Sequence, residues 1–181
     1  MAQGIMGGAT SYEEQSLKDI LDDINIWVEY TERTRDFISS NRKKLKDIGF
    51  WDKIPFNFMM TIETTLSYCS TIIGDLGIVR QAILSNVVTT KEVRLIRKIG
   101  TNSIQYNREY GRTYKEESRW KDYGNPDFRL AEEIYRKGRD YFVTLQDATN
   151  VAARMEDYMS EYSIHNSINI GGDATNVYLV L

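Results

Sequence analysis

Between Ser11 and Tyr162 the apolar residues recur every three or four positions, and the chain's only two prolines, Pro55 and Pro126, fall between blocks of that repeat. Such spacing, held over this length, is the signature of amphipathic helices. Hydrophobic residues make up 41% and charged residues 27% of the 181, so the chain has the means to bury a core. The pattern predicts an all-α fold, a long up-down-up-down four-helix bundle over 11–162. A flexible, Gly-rich arm (1–10) precedes it and a β-prone C-terminal tail (163–181) follows.

Each expected helix has its own punctuation. Ser11-x-x-Glu14 reads as a capping box opening helix one, predicted over 12–48. Its apolar face is Leu17, Ile20, Leu21, Ile24, Val28, Thr31, Ile38, Leu45 and Ile48, and Gly49 is the expected stop. Pro55 suits the first turn of helix two, predicted to about 86. Thr89-x-x-Glu92 is a second capping box, opening helix three to about Trp120. Asn125-Pro126 opens helix four. Its seam, Ala131, Ile134, Gly138, Tyr141, Leu145, Ala148, Ala152, Met155, Met159 and Tyr162, follows a heptad. The small residues in that seam predict close packing against a bulky neighbour, with helix two the expected one.

Helix two is poor in charge. Between Ile54 and Thr90 the only charged residues are Glu63, Asp75 and Arg80. A surface helix ordinarily keeps a charged face, so most of this circumference is expected to be covered. Glu63 and Asp75 are expected to pair with Arg80 or with a base on helix three. Helix three is the opposite case. Arg94, Arg97, Lys98, Arg108, Arg112, Lys115 and Arg119 fall in one arc of its wheel, a candidate face for an anionic partner. Solvation, with pairing to acids on helices one and four, is one reading of that arc. Docking of an acidic protein, of nucleic acid or of lipid are the others. From Glu13 to Glu32, helix one carries seven acids against Lys18. In the expected topology helices one and three are parallel and diagonal, so these opposite charges meet more easily between protomers than within one. Tyr106, Tyr110 and Tyr114 are expected to be core residues with hydroxyls at the rim.

Catalytic templates are missing. One His (His165) and one Cys (Cys69) rule out a His-rich metal centre and an intrachain disulfide. Cys69, within apolar helix two, is expected to be an inert core thiol. No phosphate-binding glycine loop, dinucleotide fingerprint or calcium loop is present. The expectation is a non-enzymatic protein without cofactor or metal. The first ten residues, MAQGIMGGAT, carry neither a signal-peptide pattern nor a myristoylation glycine, and a cytoplasmic location is expected.

After Tyr162 the pattern changes. Ile164, Ile168 and Ile170 are interleaved with polar residues, Gly171-Gly172-Asp173-Ala174 is turn-prone, and Val177 to Leu181 is apolar. Extended chain is expected here, with Ile168, Ile170, Val177, Leu179 and Leu181 as assembly residues. The strand can fold back on the bundle, add to a partner, or stack with copies of itself. Ile168-Asn169-Ile170-Gly171 followed by Asn176-Val177 resembles the glycine-centred amyloid signalling motifs, including the RIP homotypic interaction motif. The helical module with such a tail is similar to bacterial and fungal cell-death domains of the HeLo or Bell kind and to abortive-infection proteins. That resemblance implies immune or cell-death signalling by assembly. The expected function is therefore a helical bundle that acts by self-assembly or by binding a protein partner. The alternatives are a membrane-active cell-death effector and a nucleic-acid-binding accessory protein using the basic face of helix three.

Overall fold

A computed structural model describes residues 9–116, 126–170 and 177–179, with side chains described over 17–113 and 128–160. The described chain is mostly helical. Helix α1 spans Ala9–Asp47, α2 Phe56–Leu84, α3 Thr90–Glu116, α4 Pro126–Leu145 and α5 Ala148–Ile170. Two three-residue strands, β1 (Val87–Thr89) and β2 (Val177–Leu179), pair antiparallel, Val88 opposite Tyr178.

The ends of the helices follow local chemistry. Gly49 takes a φ of +74°, the left-handed conformation that closes a helix, and the Phe50 amide donates back to the Leu45 carbonyl at 2.9 Å. Asn86 (φ +62°) does the same after α2. At the start of α3 the Thr89 amide donates to Glu92 Oε1 at 2.6 Å, and the Lys91 amide donates to Thr89 Oγ1 at 3.1 Å. This is the reciprocal capping box that the sequence predicts.

α1 packs on α2 and α4, with a smaller contact to α5; α3 packs on α2, α4 and α5. Side-chain contacts tie the neighbouring helices together. Arg42 meets Glu63, Thr65 meets Tyr110, Arg97 meets Glu156, and Asp23 meets Arg154. α1 and α3 do not pack along one another. The core is the shared inner seam: Leu17, Ile20, Ile24 and Ile38 from α1, Ile62, Cys69, Ile72 and Leu76 from α2, with Tyr110, Tyr135, Tyr141 and Phe142 between them.

Four expectations are corrected. Helix four is two helices, broken by a turn at Gln146–Asp147, where the Asp147 amide bonds to the Thr144 carbonyl at 3.3 Å. α4 and α5 do not pack side by side, so the break bends one rod and does not reverse it. The neighbour of its small residues is α3, not α2: a Cβ on Gly138 would overlap the Tyr110 hydroxyl, and the Ala148–Thr149 backbone lies against Gly100 of α3, where an added Cβ would stand 2.5 Å from the Thr149 amide nitrogen. Residues 163–170, expected to be extended, continue α5, so Ile168 and Ile170 are helical. Finally, α1 begins at Ala9, which puts Ser11 inside the helix and not at its cap.

Candidate functional site

The outward faces of α2 and α3 lie side by side and differ in kind. α2 buries one seam: Phe58, Ile62, Thr65, Cys69, Ile72, Leu76, Val79 and Ile83. Its opposite face is exposed, while most positions of the helix are buried or half-buried, in keeping with the expected covering. Absence of charge is not absence of solvation, because Ser67, Ser70, Thr71 and Gln81 hydrate well without charge. None of the α2 residues on this exposed face is ionisable as an acid or base. The face also carries Phe56 (66% exposed), Met60 (43%), Ile78 (45%) and Leu84 (55%). Sequence reading missed these four as surface residues, although they fall off the three-four seam.

Two of the three charged residues of α2 sit at its edges. Glu63 pairs with Arg42 of α1, where Arg80 or a base on helix three was expected. Asp75 is half-buried toward α3 and forms no ion pair among the described residues. Burial pushes its carboxyl above the ordinary range, and the nearby Lys98 ammonium opposes that rise.

On α3, Arg94, Lys98, Arg108 and Arg112 are exposed and form no ion pair among the described residues; Arg97 pairs with Glu156 of α5. Lys115 and Arg119 lie outside the described side chains. A cleft of about 370 Å³ marks where the two faces meet, with Met60 and Thr64 of α2 on one side and Tyr106, Glu109 and Arg112 of α3 on the other.

Beneath these faces the two helices are joined by one buried and one half-buried polar contact. Tyr110 is 1% exposed and its hydroxyl hydrogen-bonds Thr65, whose own hydroxyl donates to the Thr61 carbonyl at 2.8 Å. Asn102 Nδ2 donates to the Tyr68 hydroxyl at 2.8 Å. The Tyr110 hydroxyl is thus at the centre and not at the rim, contrary to expectation. Tyr106 is half-buried, stacked on Phe142 with 5.0 Å between ring centroids, and Tyr114 lies outside the described side chains. Burial pushes the Cys69 thiol up to about 12, and Arg35 and the Tyr141 hydroxyl pull against that shift. A thiol so placed stays protonated and unreactive at neutral pH.

Of the tail residues, Val177 and Leu179 lie in β2, opposite Thr89 and Val87, so this segment folds back onto the α2–α3 connection. Leu181 lies outside the described residues. Among the described residues no group of three or more His, Cys, Asp or Glu is placed to hold a metal ion, and no described helix is long and apolar enough to cross a membrane. No protein-family model matches the chain, and the searches of curated proteins and of solved structures found no match either.

Proposed function

We propose that this chain is an up-down-up-down helical bundle that acts without catalysis, by assembling with itself or with a protein partner. One observation carries the reading: the outer face of α2 exposes Phe56, Met60, Ile78 and Leu84 with no acid or base among them. Single exposed apolar residues are ordinary, but four along one helix with no charge to solvate them favour a covered state. The resemblance of the tail to amyloid signalling motifs suggests the setting, bacterial anti-phage or cell-death signalling in the cytoplasm. β2 lying on β1 is compatible with a strand held back until assembly.

The test is solution mass by light scattering for the wild type and for Met60→Glu with Ile78→Glu. Both positions are exposed, so helicity and melting should hold, with a stability change within about 0.5 kcal/mol. The wild type is expected to be heavier than one protomer and the double variant to dissociate. A mass that ignores both substitutions removes α2 as the contact.

A further inference from the structure

We infer that the partner of the basic α3 face is the acidic α1 face of a second copy of this chain. This deepens the assembly reading above and rests on it. The outer face of α1 exposes Asp22, Glu29, Glu32 and Asp36 around an exposed Ile26, which is 61% accessible. Glu29 bonds Arg33 and Asp36 bonds Arg35, both on their own helix, while Asp22 and Glu32 form no ion pair among the described residues. On α3 the exposed Arg94, Lys98 and Arg108 are likewise without ion pairs among the described residues. The two sets share one spacing. Arg94, Lys98 and Arg108 are four and ten residues apart, and so, in reverse order, are Asp36, Glu32 and Asp22.

An antiparallel docking therefore sets Arg94 against Asp36, Lys98 against Glu32 and Arg108 against Asp22, over about 21 Å of helix. The same register places Thr101 opposite Glu29 and Gln105 opposite Asn25, and it sets Arg97, which Glu156 neutralises, opposite Arg33, which Glu29 neutralises. Within one chain these faces cannot meet. α2 packs between α1 and α3 on one side and the α4–α5 rod on the other, which turns the two outer faces away from each other. A copy therefore uses α3 on one neighbour and α1 on another. Such a contact is heterologous and grows into a ring or an open chain, not a closed two-fold dimer.

The experiment uses two variants of the full chain. One is Arg94→Glu, Lys98→Glu, Arg108→Glu; the other is Asp22→Lys, Glu32→Lys, Asp36→Lys. Mass is measured for each alone, for their equimolar mixture and for the wild type, at about 50 mM and about 500 mM salt, where the screening length shortens severalfold. The wild type should exceed about twice the protomer mass at low salt and fall toward one protomer at high salt. Each variant alone has like charges on both faces and should stay monomeric with unchanged helicity. The mixture makes both contacts complementary again and should regain at least the wild-type mass. That rescue cannot come from misfolded protein. A mixture that stays monomeric overturns the inference. So does wild-type assembly that disappears on nuclease treatment, which would give the basic face to nucleic acid. Charge variants that assemble normally, beside an α2 double variant that does not, would overturn this pairing and leave the α2 reading standing.

Discussion

α2 and α3 are neighbours with a common interior and unlike exteriors. Inside, both are fixed by the same contacts, a buried one of Thr65 with Tyr110 and a half-buried one of Tyr68 with Asn102. Outside, one offers uncharged residues with four large apolar side chains and the other a line of cations, of which Arg94, Lys98, Arg108 and Arg112 form no ion pair among the described residues. Interior packing therefore does not dictate what a helix shows to solvent. The two faces also act over different ranges. A neutral face contributes only on contact, through the apolar area it removes from water. A cationic face steers an acidic partner across roughly a Debye length and weakens with salt.

The largest expected effect comes from making the same substitution on the two sides of that division. Gly100, on the inner side of α3, has the Thr149 backbone against it, whereas Gly74, on the outer side of α2, has nothing within 4 Å of an added Cβ. Gly100→Ala should lose about 1–3 kcal/mol through overpacking, since a backbone cannot swing aside. Gly74→Ala should gain about 0.8–1 kcal/mol of helix propensity. Equilibrium denaturation of the two variants reads the opposite signs; the same sign for both would erase the distinction between inner and outer face. If α2 docks closely in an assembly, Gly74→Ala should also lighten the particle while stabilising the protomer.

A second pair probes the interior alone. Thr65→Val leaves the buried Tyr110 hydroxyl without its partner and should cost about 1–3 kcal/mol. Thr34→Val removes a fully buried hydroxyl that has no hydrogen-bond partner among the described residues, so it should be neutral or mildly stabilising. Denaturation midpoints that fall equally in both would mean that the Tyr110–Thr65 contact contributes nothing special.

The helices and several of their ends are legible in the residues. Apolar spacing marks the α1, α2 and α3 seams, and Thr89 with Glu92 and Gly49 mark ends by chemistry that acts within four residues. The break at Gln146–Asp147 is not legible, because Leu145, Ala148 and Ala152 keep the three-four rhythm straight through it. The alternation assigned to the tail rests on Ile168 and Ile170, while Ile164 and Ile168, four apart, fit the helix that forms. Of the candidate faces, the basic arc is readable because charge seldom goes inside. The bareness of α2 is not, since Ser, Thr and Gly are at home both in a core seam and in water. Its pattern says which residues lack charge and leaves open what lies over them.

The smallest expected effect lies on the border between the two faces. Asp75 of α2 has its carboxyl raised by burial, with Lys98 of α3 partly offsetting the rise. The folded chain thus holds this proton more tightly than the unfolded chain does. Its contribution to stability is full below the unfolded value, near 3.8, and falls as pH climbs through the raised folded value. At neutral pH the ionised group is therefore a small net cost. Asp75→Asn should melt slightly higher than the wild type at pH 7, and the difference should vanish by about pH 3, where both side chains are neutral. Adding Lys98→Gln to the wild type removes the offsetting charge and should widen the gap that Asp75→Asn then closes. A wild type, with Lys98 present, that instead melts above Asp75→Asn at pH 7 would mean that attraction to Lys98 outweighs burial. The neutral face of α2 and the basic face of α3 would then be electrostatically joined at this residue, not merely adjacent.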